Sequence, residues 1–406
     1  MTNRAEDRLN QVKQLSCEQK RVLDELYEII VEHLEDDNPY VVKLDGDAGT
    51  GKSVVLMALF KRLQLESRKH SDSPLYQTTN YLTVNHAEMI KIYKEIAGKE
   101  PFLYKKDIQK PTPLINRLQK NNEKADVVVI DEGHLLLTQP DRYNKFNQDN
   151  QLVELIKRAQ IVIVVFDDHQ VLKTKSFWNQ QKMQSILKFY SHKEIELRGQ
   201  FRVQAPPEVL TWIDNFAKKR QLTSYPQTKD YDFRLYTDLS QMYVDLKQKN
   251  EKYGLSRLIS TADYPYKMDD RLHYIIEPGF KLPWDHDINP HLPWAQRPET
   301  IDEVGSIYTI QGFDLNYAGV ILGPGITYNQ SRNLIIPKPD KYQDFEAFKK
   351  RSDQSTNQQL LKIKSQIMMN AVNVLLKRGV RGLCIYASDS GLKGAFETLN
   401  ANKSFG

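Results

Sequence analysis

Apolar positions along this chain fall into two rhythms. Leu15, Val22, Leu23, Leu26, Ile29, Ile30 and Leu34 recur at the three-and-four spacing of one helix face, which predicts a helix over most of the first forty residues. Short continuous runs follow at Tyr40–Leu44, Tyr81–Val84, Ala125–Ile130 and Ile161–Phe166. Each is rich in β-branched residues and bounded by polar ones, as strands buried on both faces are. Val54–Leu65, Ala87–Ala97 and Pro113–Gln119 lie between them and read as helices. Strand and helix alternating in this way predict an α/β fold on a parallel sheet.

The second half repeats the rhythm with interruptions. Ile195–Arg202 reads as a strand and turn, Glu208–Ala217 and Leu239–Gln248 as helices, and Ser256–Thr261 as a strand. Val304–Pro324 reads as two strands around a polar corner made of Thr309, Gln311, Gly312 and Asp314. Leu360, Ile363, Ile367, Ala371 and Val374 stripe a long helix from Gln358 to Arg378, with Gly379 placed as its C-cap. Leu383–Ala387 is a last buried strand. Two stretches break the pattern: 264–300 reads as an irregular loop or hairpin insertion, and 325–357 as an irregular insertion. The aromatics Phe280, Trp284 and Trp294 of the first would either stack on bases or pack a small satellite core, and packing is the commoner outcome.

Chemistry concentrates at strand ends. The run LDGDAGTGKS places Gly46, Asp47, Ala48, Gly49, Thr50, Gly51, Lys52 and Ser53 between the first strand and the next helix. This is G-x-x-x-x-G-K-[ST] in the strand–loop–helix setting that the motif requires. Glycines let the backbone wrap a phosphate chain, and the helix N-terminus adds partial positive charge. Lys52 would reach the β- and γ-phosphates of ATP, and Ser53 would hold Mg²⁺. The strand ADVVVI delivers two adjacent carboxylates, Asp131 for the metal and Glu132 as base for the attacking water. Asp167 and Gln170 have the D-x-x-Q spacing of a γ-phosphate sensor behind a strand.

Two further pairs of residues have two readings each. Ser16 and Gln19 match a capping box, while a glutamine just upstream of such a loop also suits adenine, whose edge a carboxamide can pair. Asn85 and His86, at the end of the second strand, are either a helix cap with a surface histidine or ligand contacts. Thr309 shares that strand-end placement.

The composition narrows the class only slightly. At 406 residues the chain has material for two or three domains, and 40% hydrophobic with 27% charged residues is ordinary for a globular protein. A net charge of +5 permits a polyanionic partner without demanding one. Two cysteines far apart, Cys17 and Cys384, exclude a disulfide framework and point to the cytoplasm. No apolar run is long enough to span a membrane, and the polar N-terminus has no secretory signal.

The order of motifs resembles the superfamily-one helicase motor: Gln19, the Gly46–Ser53 loop, DEGH at Asp131–His134, Asp167–Gln170, QFR ending at Arg202, IQGFD at Ile310–Asp314 and LLKRG at Leu375–Gly379. More closely, NHAEM, VIDEGHLLLT, YTIQGFDLNYAGVILG and NVLLKRGVRG resemble a bacterial family of P-loop ATPases grouped with the Schlafen helicase-like domain, over nearly the whole chain. The resemblance implies two RecA-like lobes, 1–203 and 204–406, with Mg²⁺–ATP between them. Lobe one would supply Lys52, Ser53, Asp131, Glu132 and Gln170; lobe two would supply Arg202 and Arg378, with Gln311, Gly312 and Asp314 on its nucleotide face. Lys377 departs from the family pattern, which usually has threonine there. The function implied is ATP hydrolysis coupled to movement on, or remodelling of, single-stranded DNA or RNA. The alternative is a nucleotide-driven regulatory switch acting on a protein partner, such as a nuclease in phage defence.

Overall fold

The computed structural model describes residues 15–46, 50–167, 170–176, 178–197, 205–266, 271–286, 294–310, 313–345, 347–348 and 356–403. It divides into two compact units, Met1–Val171 with Lys175–Phe201, and Leu172–Thr174 with Arg202–Gly406. The predicted Asp47, Ala48, Gly49, Arg202, Gln311 and Gly312 lie outside the described residues.

In unit 1, helix α1 (Cys17–His33) precedes β1 (Tyr40–Asp45), α2 (Lys52–Lys69), β2 (Asn80–Val84), α3 (Ala87–Ala97), β3 (Ile108–Gln109) and α4 (Pro111–Asn121). Then come β4 (Ala125–Asp131), α5 (Gln151–Ile156), β5 (Ala159–Phe166), α6 (Gln180–Leu187) and β6 (Ser191–Glu196). The six strands are parallel, in the order β3-β2-β4-β5-β1-β6. All eight residues of β5 are buried, because a central strand in such a sheet has no solvent face. Val128, Ile130, Val162 and Val164 pack on α4, α5 and α6. The alternating set Val127, Val129, Ile161 and Ile163 faces the other side, where right-handed crossovers put α2 and α3. The basic stretch Lys99–Pro113 reads in the sequence as an excursion from the sheet, yet it contributes the two-residue β3 to it; a strand this short has no period to read.

Unit 2 is built on a seven-stranded sheet in the order β7-β15-β12-β8-β11-β10-β9. Its elements are α7 (Pro207–Ala217), β7 (Asp232–Tyr236), α8 (Leu239–Tyr253), β8 (Ser256–Ser260), β9 (His273–Glu277), β10 (Phe280–Trp284), β11 (Val304–Gly305), α9 (Ile307–Ile310), β12 (Leu315–Leu322), β13 (Ile326–Asn329), β14 (Leu334–Pro337), α10 (Asn357–Leu376), β15 (Gly379–Ala387) and α11 (Ser390–Lys403). Pairing is parallel except for the β9–β10 hairpin at one edge. The stretch read as an irregular insertion thus extends the sheet, and Phe280, Trp284 and Trp294 are buried, as packing residues are. The polar corner is flanked by one long strand and only a two-residue one, with the helical turn α9 between. The second insertion contains the β13–β14 hairpin, a separate two-stranded sheet.

One expected cap is replaced. Helix α10 ends at Leu376 with Lys377 as its C-cap, and Gly379 opens β15 instead. A Cβ there would lie 2.1 Å from the Gly382 carbonyl oxygen. The glycine is required by close backbone approach at an irregular strand start, not by a left-handed cap. Among the described residues no helix is long and apolar enough to cross a membrane.

Candidate functional site

Parallel strands deliver their C-terminal residues to one edge of the unit 1 sheet. Register decides which residues meet there. β1 and β5 pair through Asp45 and Phe166, and β2 and β4 through Val84 and Asp131, so Gly46, Asp167, Asn85 and Glu132 follow at neighbouring strand ends.

Helix α2 starts from that edge. Its N-cap is Gly51 at φ 83°, where a Cβ would sit 2.3 Å from Gln19 Nε2. Glycine is therefore demanded twice, by conformation and by space. No side-chain oxygen caps the helix and its first turn carries no acid, so its leading N–H groups and positive end remain suited to an anion. Lys52 is buried; its Nζ donates to the Gly46 carbonyl at 2.5 Å and lies 3.9 Å from Asp167 Oδ2. Ser53 Oγ donates to Asp131 Oδ1 at 3.2 Å, across 78 residues of sequence.

The DEGH segment has a local explanation. Asp131 ends β4 fully buried. Glu132 then turns left-handed, at φ 50° and ψ 50°, a state that costs an ordinary residue on the order of 1–2 kcal/mol. Such strain gathers at functional sites. Gly133 follows because a Cβ would lie 2.5 Å from Val164 Cγ2 and 2.6 Å from the Val165 carbonyl. His134 is fully buried with Nε2 3.4 Å from Glu132 Oε2. Burial pushes its imidazole down to about 4, with Lys52 adding to the shift, so it is neutral at pH 7. Burial, reinforced by the Glu132 charge, holds the Asp131 carboxyl above the usual carboxylate range.

Gln170 Nε2 donates to Asp167 Oδ2 at 2.6 Å, so the D-x-x-Q pair forms one hydrogen-bonded unit behind β5. Gln19 is engaged at both ends of its amide. Ser16 Oγ accepts from Gln19 N at 3.1 Å and Gln19 Oε1 accepts from Ser16 N at 3.0 Å, which is the predicted capping box. Its Nε2 meanwhile donates to the Thr50 carbonyl at 3.2 Å. Asn85 Nδ2 donates to the Leu135 carbonyl at 2.8 Å, and His86 caps α3 by accepting from Met89 N at 3.3 Å. His86, the expected surface histidine, is thus itself the cap, while Asn85 braces the DEGH segment.

Sequence reasoning missed Tyr93. It lies on the buried stripe Met89, Ile92, Tyr93 and Ile96 of α3 and donates to Asp131 Oδ2 at 2.5 Å. The available signal was the tyrosine itself, since a hydroxyl on a buried helix face needs a partner.

The donors around Ser53 and Asp131 suit Mg²⁺. Both present oxygen, and no cluster of three or more His, Cys, Asp or Glu surrounds them among the described residues. Mg²⁺ is usually held by one or two protein oxygens with the remainder from phosphate and water, and it is not caged. Ser53 and Asp131 would hold it.

The residues predicted for unit 2 are also placed. Thr309 Oγ1 accepts from Ser306 N at 2.8 Å and donates to the Ser306 carbonyl at 3.0 Å, closing a turn. Arg378 is 3% exposed; its Nη1 donates to the Phe313 carbonyl at 3.2 Å and lies 3.9 Å from Asp314 Oδ1. Lys377, the departure from the family pattern, forms an ion pair with Asp214 Oδ1 of α7 at 2.7 Å. Burial would raise the Asp214 carboxyl, but Lys377 and Lys218 outweigh it and hold it below the usual range.

Residues 39–389 match the family model described as Schlafen group 3, DNA/RNA helicase domain. The chain is 38% identical over 409 residues to Uncharacterized protein YPL245W of Saccharomyces cerevisiae, covering 93% of this chain and 89% of that protein. The likeness thus extends to a eukaryote. Among solved structures, arterivirus nonstructural protein 10, a helicase in complex with DNA, aligns at TM-score 0.38 and 10% identity, over 91% of this chain and 65% of that one. Pif1 helicase from Bacteroides, in complex with ADP-AlF3 and single-stranded DNA, aligns at TM-score 0.31 and 11% identity, over 97% of this chain and 98% of that one. Neither score reaches the level at which a shared fold follows. The family model spans most of the sequence, including the P-loop, DEGH and IQGFD segments, and on that match the chain belongs to the Schlafen group 3 DNA/RNA helicase domain family.

Proposed function

We propose that this chain hydrolyses ATP to ADP and phosphate and couples that turnover to movement on, or remodelling of, single-stranded nucleic acid. The observation that carries the reading is the 3.2 Å contact of Ser53 and Asp131 beside the glycine-capped end of α2. A hydroxyl, a carboxylate and a helix N-terminus brought to one sheet edge have the chemistry of a metal–phosphate site. Each residue then has a role. Lys52 neutralises the β- and γ-phosphates, and Ser53 and Asp131 take the metal. Magnesium, when bound, offsets charge on the phosphate oxygens. Glu132 accepts a proton from the attacking water. Gln170, joined to Asp167, senses the γ-phosphate, and Arg378 supplies positive charge during turnover.

Family membership supports a nucleic-acid substrate. Asn85 and His86 lie at the same sheet edge and are the candidate contacts, with the basic stretch around Lys105 and Lys106 nearby in sequence. Two free cysteines, Cys17 and Cys384, support a cytoplasmic setting. The deciding experiment is ATP turnover measured alone and with single-stranded DNA, single-stranded RNA and duplex. Stimulation by a single strand is expected. Turnover indifferent to every nucleic acid would shift the reading to a switch acting on a protein.

A further inference from the structure

We infer that Tyr93 is the positioning residue of the metal-side carboxylate, holding Asp131 in the orientation that lets it share an ion with Ser53. The inference rests on the ATPase reading above and adds a residue that the sequence motifs do not contain.

The fully buried Asp131 receives three hydrogen bonds. Oδ1 accepts from Ser53 Oγ at 3.2 Å and from its neighbour's backbone, Glu132 N, at 3.0 Å. Oδ2 accepts from Tyr93 Oη at 2.5 Å. The division matters. Ser53 Oγ carries two lone pairs and one hydrogen, so it can turn a lone pair to an entering ion while its hydrogen stays on Oδ1. The Tyr93–Oδ2 bond lies on the other oxygen and does not compete. It can fix the carboxylate plane in both the loaded and the empty state, as outer partners of metal ligands do.

Packing alone does not require this hydroxyl. Phenylalanine would fill the buried stripe of α3 equally well, and a tyrosine hydroxyl without a partner would be costly there. Helix α3 is also anchored independently. Asn85 Nδ2 binds the Leu135 carbonyl at 2.8 Å, so the helix grips the β4 end on both sides of Glu132. The phenol is thus held in place by something other than the bond it makes to Asp131.

The test is Tyr93→Phe in the full chain, read by binding of a fluorescent ATP analogue in EDTA and across a Mg²⁺ titration, and by Mn²⁺ electron paramagnetic resonance. Affinity in EDTA should match the parent, whereas the Mg²⁺ concentration for half-saturation should rise roughly tenfold or more. On an Asp131→Asn background the same substitution should add nothing. If Tyr93→Phe does not fold, 3-fluorotyrosine at position 93 keeps the hydroxyl. Its ¹⁹F resonance should move with Mg²⁺ plus nucleotide and stay still with nucleotide alone. An unchanged Mg²⁺ half-saturation, equal weakening with and without metal, or a silent ¹⁹F resonance overturns the inference. A parent protein with no Mg²⁺-dependent nucleotide binding overturns the ATPase reading and this one together.

Discussion

The Gln19 carboxamide reaches the Thr50 carbonyl across 3.2 Å, tying the cap of α1 to the loop that opens α2. The same side chain completes the capping box through Oε1. Gln19→Ala should therefore lower stability by the ~1 kcal/mol of a lost cap and weaken ATP and GTP binding by the same factor. Gln19→Glu keeps the cap oxygen but faces the Thr50 carbonyl with a second acceptor, so it should impair nucleotide binding more than stability. A loss confined to ATP would return Gln19 to reading adenine.

Lys52→Ala and Glu132→Gln separate binding from turnover. Removing the buried ammonium leaves Asp167 without its neighbour at 3.9 Å, and ATP binding should fall sharply. Glu132→Gln leaves Lys52, Ser53 and Asp131 in place, so it should bind ATP and fail to hydrolyse it. Equilibrium binding beside single-turnover rates checks the pair; equal binding loss in both would contradict these roles.

Arg378 tests stability and turnover separately. Because it is buried against Phe313 and Asp314, Arg378→Ala should lower stability by about 1–3 kcal/mol through lost charged hydrogen bonding. If the arginine also acts on phosphate, turnover should fall at least a hundredfold, a floor set below the roughly 10³–10⁵ that such arginines contribute. Arg378→Lys should recover part of the stability and little of the rate, since an ammonium lacks the planar fork. A rate near normal in the alanine variant would remove Arg378 from the chemistry.

Two buried groups give opposite pH dependences over one window. His134, lowered to about 4, stays neutral in the fold while the unfolded chain takes up a proton near 6.5. Its contribution is present above pH 6.5 and is lost as pH falls toward 4, by ~3 kcal/mol at most. His134→Phe should flatten the acid side of the melting-temperature profile.

Asp263 behaves in the opposite sense. Burial pushes its carboxyl up to about 7, although Thr261 Oγ1 donates to it at 2.7 Å. The folded state keeps a proton that the unfolded state has released, so stability is fully present below about 4 and falls as pH rises through about 7. Asp263→Asn should gain on the parent steadily from pH 4 to pH 8 in thermal melts. A constant gap across that range would mean that the group ionises normally in the fold.

Much of the chemistry was legible because it is local. The P-loop needs glycines, a lysine and a hydroxyl in consecutive positions, and ADVVVIDEGH shows a buried strand ending in acids without any tertiary information. The Ser16–Gln19 box was readable for the same reason, since both partners lie within one helical turn. The α/β class followed from continuous β-branched runs alternating with helical stripes.

What the sequence by itself determined, then, was which residues carry chemistry and that strand ends present them. Tertiary structure decided what each one touches. Tyr93 looks like any apolar-stripe tyrosine until α3 crosses the end of β4 and its hydroxyl meets Asp131. Gly133 looks like a flexible turn until β5 places Val164 where its Cβ would be. Gly379 looks like a helix cap until β15 begins there and the Gly382 carbonyl takes the space. The hairpin β9–β10 looks like a separate insertion until β10 pairs with β11 and joins the sheet. In each case the deciding partner is remote in sequence or set by register, and periodicity records only whether a position is buried, not what it is buried against.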